Sequence, residues 1–127
     1  MKRTQIKIVP EYFDRYINLT EDVDLFEAFN NSLNQLKKLN VKKINAVGFR
    51  TYQPGKWTIN EIIQHITDIE RLLIAGTLRF ARGEENYIIA FNEEEIARQS
   101  KANNKSINLI IEELISVRKS TISLYKT

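Results

Sequence analysis

Cysteine is absent from this sequence of 127 residues, which excludes disulfide frameworks, thiolate nucleophiles, zinc fingers and iron–sulfur clusters together. The chemistry that remains must use carboxylates, hydroxyls, lysines or the one histidine, His65. Proline is nearly as scarce, at Pro10 and Pro54 only, and the four glycines at 48, 55, 76 and 83 are scattered. Such scatter leaves no P-loop, dinucleotide-binding fingerprint or nucleophile elbow. It also leaves no Pro/Gly/Ser-rich linker and no internal repeat, so one domain over residues 1–127 is expected. A chain of this length buries roughly two-thirds of its unfolded surface around a single core. No uninterrupted hydrophobic run occurs either: residues 59–80 are the most apolar stretch, yet Glu61, His65, Asp68, Glu70, Arg71 and Arg79 break it, which argues against a membrane span. Met1 is followed by Lys2, Arg3 and Lys7 without an apolar signal region, so a cytoplasmic location is expected. Neither sign of charge dominates. The net charge is +3, with ten basic residues in 1–63 and nine in 64–127. The densest group, Lys37, Lys38, Lys42 and Lys43, lacks interleaved aromatics and reads as a solvated helix end rather than a nucleic-acid surface.

What is present is helical periodicity. A first long helix is expected after Thr20 as N-cap, with Glu21, Asp22 and Asp24 in its first turn. Leu25, Phe29, Leu33, Leu36 and Leu39 then recur at helical spacing, opposite Asn30, Asn31, Asn34, Lys37 and Lys38. The second helix is the best marked. Thr58 and Glu61 have the spacing of a capping box, Trp57 and Ile62 that of a hydrophobic staple, and Gly83 after Arg82 suits a left-handed stop, giving a strut of roughly 40 Å. Residues 84–105 read as a long crossover, with an apolar interruption at 87–91 and Glu93, Glu94 and Glu95 opening a short helix. A last helix follows Ser106, placing Ile107, Ile110, Ile111, Leu114, Val117, Thr121, Ile122 and Leu124 or Tyr125 inward. Three long helices need a fourth, from residues 12–19, a partner chain or elsewhere, or else they leave an apolar face exposed. A homodimer is the economical expectation.

Residues 52–71, with Tyr52, Pro54, Gly55, Lys56, Trp57, Thr58, Glu61, His65, Asp68, Glu70 and Arg71, carry a resemblance, continued by Leu78, Arg79, Phe80, Arg82, Gly83 and Glu84. Pro10 through the Tyr16 position, Phe91, Asn92 and Arg118 extend it more weakly. The sequence resembles the DinB-like (YfiT-like) family. That resemblance implies an all-α, up-down-down-up four-helix bundle, commonly dimeric, in which many members bind nickel or zinc through three histidines. His65 matches the ligand on the second helix. The other two form an H-x-x-x-H pair on the last helix, and no second histidine exists here; the chain is expected to stop before that helix. Characterised relatives include thiol-dependent transferases and a maleylpyruvate isomerase, so a metal-dependent transferase or hydrolase-like enzyme acting on a small molecule is implied. The alternative is a dimeric, non-catalytic binding or scaffold bundle that has lost the metal site.

Apart from the resemblance, Ile62, Ile69, Leu73, Gly76 and Phe80 share the side of His65, and Glu61, Asp68 and Arg79 flank it. A lone histidine there is ordinarily a hydrogen-bonded residue at a core edge. With Glu61 or Asp68 it would make a weak mixed metal site at best. Glu70, Arg71 and Arg79 would either order a substrate carboxylate or form ion pairs, the latter being the ordinary outcome. Trp57 is expected to anchor the core and Gly76 to permit close helix packing.

Overall fold

The computed structural model describes residues 1–88 and 90–127. The apolar stretch expected at 87–91 includes Ile89, which lies outside the described residues. Six α-helices follow one another among the described residues: α1 (Asp14–Ile17), α2 (Leu25–Lys37), α3 (Val41–Val47), α4 (Ile59–Ala81), α5 (Glu93–Gln99) and α6 (Ile107–Tyr125), with single 3-10 turns at Arg3–Gln5 and Ala102–Asn104. None is long and apolar enough to cross a membrane.

The helix boundaries follow from capping chemistry. Thr58 accepts a hydrogen bond from the Glu61 amide, and the Glu61 carboxylate accepts one from the Thr58 amide at 2.7 Å, completing the expected capping box. At the other end of α4, the Gly83 amide bonds the Phe80 carbonyl and the Glu84 amide the Arg79 carbonyl, with Gly83 at φ +79°: a Schellman stop. Ser106 caps α6 and Asn92 caps α5. For α2 the expected cap is corrected. Asp24 accepts from the Phe26 amide, whereas Thr20 donates back to the Ile17 carbonyl within the preceding turn. Asp22, expected inside the first turn, instead receives the Thr4 amide and hydroxyl and pins the N-terminal segment. The Met1 ammonium on Asp24 at 2.7 Å makes a second pin.

Polar ties fix the helix directions. Thr58 and Asn60, at the start of α4, bond Asn103, Ala102 and Lys105 just before α6 begins. Further along, Glu70 meets Arg118 and Thr121. Helices α4 and α6 therefore run parallel. In α2, Ser32 meets Arg118, Phe29 stacks on Tyr125 and Leu36 packs at the opposite end of α6, so α2 runs antiparallel to both. This is the up-down-down order of the expected bundle. The N-terminal stretch does not supply a fourth long helix: α1 is a single turn with no buried residue.

The core lies between α4 and α6. Ile63, Ala102, Ile107, Ile110, Ile111 and Leu114 are buried, with Leu36, Val41, Ile44, Ile59 and Ile115 packed around them. Every inward position expected for α6 from Ile107 through Ile122 is buried. The inner stripe of α2 is only half-buried, at Leu25, Phe29, Leu33 and Leu36. That helix ends at Lys37 rather than Leu39 because the chain breaks and restarts as α3, capped by Asn40 on the Lys43 amide and closed by Gly48 at φ +62°.

Candidate functional site

On α4 the buried side carries Asn60, Ile63, Gln64 and Thr67, with Thr67 fully buried and its hydroxyl bonded to the Ile63 carbonyl. The other side, the stripe of His65, leaves Ile62, Ile66, Leu73 and Phe80 exposed. His65, expected at a core edge, is itself half-buried. The stripe faces a cleft. The cleft, about 430 Å³, is bounded by Phe29 of α2, by His65, Ile66, Ile69, Glu70, Leu73, Ile74 and Thr77 of α4, and by Arg118, Thr121 and Tyr125 of α6. Its volume falls in the ordinary range for small-molecule sites.

The charged groups of the cleft are already partnered. The Arg118 guanidinium donates to both Glu70 oxygens at 2.8 and 2.9 Å and also to the Ser32 hydroxyl, while Thr121 donates to Glu70 at 2.6 Å. These side chains are 18% and 12% exposed for Arg118 and Glu70, so the pair is a fixed, shielded tie joining α2, α4 and α6. Arg71 is likewise paired with Glu113, and Arg79 with Glu84. Burial alone would push the Glu113 carboxyl up, but donation from Arg71 and the nearby charges of Lys105 and Arg71 hold it below the usual carboxylate range. Hydrogen bonding from Arg79 lowers Glu84 in the same way. Glu70, Arg71 and Arg79, the three charged residues singled out in the sequence, therefore each form an ion pair between or along elements, with Arg118, Glu113 and Glu84.

His65 is different. Its ring packs on Trp57 with centroids 4.6 Å apart, and its Nδ1 is buried with no hydrogen-bond partner among the described residues. The two carboxylates that flank it in sequence are spent elsewhere: Glu61 on the capping box, Asp68 on the Gln64 amide at 3.0 Å with Arg71 nearby. Among the described residues no group of three or more His, Asp or Glu side chains is placed to hold a metal ion. One imidazole with an unpartnered Nδ1 does not fit a tightly bound divalent cation, because a ligating histidine normally donates its second nitrogen to an oriented acceptor.

A second cavity, about 540 Å³, adjoins the first and shares Leu73, Thr77 and Tyr125 with it; Leu72, Gly76, Phe80, Tyr87, Ile88 and Phe91 also line it. A Cβ on Gly76 would come within 2.8 Å of the Tyr87 carbonyl oxygen. The absent side chain admits the backbone of the crossover, rather than a neighbouring helix. This cavity was invisible in the sequence because its wall is made by the crossover folding back on α4.

Neither a curated protein nor a solved structure matches the chain. A family profile, described as the DinB superfamily, matches residues 24–127, from the Asp24 cap through the whole of α6. Matched over most of its length on the elements that build the cleft, the chain belongs to the DinB superfamily.

Proposed function

We propose that this DinB-superfamily chain is a small-molecule-binding bundle whose site is the cleft beside His65. One observation carries the reading. The stripe of α4 that leaves Ile66 and Leu73 exposed borders a cavity of ligand size in which the charged residues Glu70 and Arg118 neutralise one another. Such a site favours a compact, mostly apolar molecule held by few polar contacts. Trp57, the only tryptophan, lies against His65, so its emission is expected to respond to a ligand that contacts that ring. Screening apolar compounds by Trp57 emission is expected to find saturable binders that are lost when Ile69→Phe fills the cleft. Binding unaffected by that substitution would place the site elsewhere.

The second reading is a metal-dependent enzyme, a thiol-dependent transferase or hydrolase, with His65 as one ligand of nickel or zinc. The position of His65 on the cleft favours it; it needs donors beyond those His65 meets among the described residues. Stoichiometric zinc or nickel in the purified protein, lost on His65→Ala, would establish it, and unchanged metal content in the variant would dismiss it.

A second copy laid across Ile62, Ile66, Leu73 and Phe80 would cover this apolar stripe and roof the cleft, so we place the homodimer contact there. Light scattering on the native protein and on Ile66→Asp tests this: a dimer converted to a monomer supports it, and a native monomer at all concentrations removes it.

A further inference from the structure

Three parts of the chain wall the second cavity: α4 through Leu72, Gly76 and Phe80, the crossover through Tyr87 and Phe91, and the end of α6 through Tyr125. The crossover is seated on α4 at two points. The Tyr87 carbonyl oxygen lies 2.8 Å from where a Cβ on Gly76 would stand, and the Tyr87 ring meets Phe80 edge-on with centroids 5.0 Å apart. Among the described residues no charged side chain lines this cavity, and the Thr77 hydroxyl is already donated to the Leu73 carbonyl at 2.9 Å. Such a wall favours hydrocarbon over any group that must be hydrogen-bonded, because it gains from excluding water and has few polar atoms to offer in exchange.

Leu73, Thr77 and Tyr125 belong to both cavities, so the two spaces meet along α4. Phe29, whose ring centroid is 5.4 Å from that of Tyr125, backs the junction. From His65 to Phe80 the joined trough follows α4 for about 22 Å, at 1.5 Å per residue. Its ends differ in polarity. Glu70, Arg118 and Thr121 border the cleft alone, and the first two neutralise one another. We propose that a single elongated molecule occupies both cavities, with a small uncharged polar head in the cleft and an unbranched alkyl or acyl chain running past Thr77 to the Tyr87 wall. This rests on the cleft being a binding site and adds the class of its ligand, a single-chain amphiphile whose length is read by the second cavity.

Calorimetric titration of the native protein with hexanol, octanol and decanol tests the proposal. Affinity is expected to rise about two- to fourfold for each added methylene, as for a chain that leaves water. In amide NMR, decanol is expected to move Gly76 and Tyr87, and hexanol only residues of the cleft such as Ile66 and Ile69. Thr77→Phe, which plugs the junction, should flatten the rise beyond hexanol. Tyr87→Ala, which removes a ring lining the second cavity alone, should weaken decanol several-fold while leaving hexanol nearly unchanged. It keeps the test open if the plug disturbs folding. Equal affinities across the series, a rise that survives both substitutions, or decanol shifts that spare Gly76 and Tyr87 would overturn the proposal while hexanol binding upholds the cleft. Failure of all three alcohols to bind would remove the cleft reading and this one together.

Discussion

The two sides of α4 invert the usual distribution of side chains. The side against α6 buries Asn60, Gln64 and Thr67 alongside Ile63, whereas the opposite side leaves Ile62, Ile66, Leu73 and Phe80 in the open. The difference lies in what each side meets. Asn60 is buried because Ala102 and Lys105 offer carbonyls, and Gln64 because Lys105 and Asp68 complete its amide. A buried polar group is tolerable once bonded. No comparable partner covers the His65 stripe among the described residues, and exposed apolar surface of that extent marks a place where something binds.

The comparison breaks most readily at the core. Leu114→Ala, at a site 2% exposed, is expected to lose about 3–5 kcal/mol in urea unfolding. Leu73→Ala, 61% exposed on the other side, should stay within about 0.5 kcal/mol of the native value. Equal losses would mean that the stripe is packed after all. Next in size is the tie that fastens both sides together: Arg118→Ala should cost about 3 kcal/mol by stranding Glu70, while the paired change of Glu70→Leu with Arg118→Met should cost far less. Similar losses for the single and the paired changes would argue against a shielded pair.

Gly76→Ala sharpens the contrast at the crossover. The added methyl meets the Tyr87 carbonyl and should destabilise by about 1–3 kcal/mol, with the largest amide shifts near Tyr87 rather than in α6. An increase in stability, as expected of alanine in an open helix, would contradict the close approach. The smallest effect concerns pH. The Thr4 amide holds Asp22 below its usual range, and the Met1 ammonium does the same for Asp24. A depressed folded value contributes stability above the unfolded carboxylate range and loses it as pH falls through the lower folded value. Amide exchange in residues 1–24 should therefore quicken below about pH 4 before the α4–α6 core is affected.

Much of the scaffold was legible in the sequence. The Thr58 and Glu61 box, the Gly83 stop, the Ser106 cap and the α6 inner face each rest on contacts within a few residues, which local pattern records well. The α2 start was misread because Thr20, Asp22 and Asp24 are all competent caps; the long-range bonds of Thr4 and Met1 decide among them. Helix α3 went unread although Asn40, Val41, Ile44 and Gly48 have the right spacing for a short capped turn. For the candidate cleft, the sequence singles out His65 but not what surrounds it. Helical periodicity places His65 at a core edge and stops there, since spacing alone reports which residues are neighbours and not what packs on them. The Glu70–Arg118 pairing is 48 positions apart in sequence and left no local signal.

Binding of the fluorescent amphiphile 1-anilinonaphthalene-8-sulfonate, followed by energy transfer from Trp57, tests most directly whether the His65 stripe is a working face. The account predicts saturable binding of the folded protein that is abolished by Leu73→Glu with little change in unfolding free energy. Dye binding that does not saturate, or that survives Leu73→Glu unchanged, would contradict it.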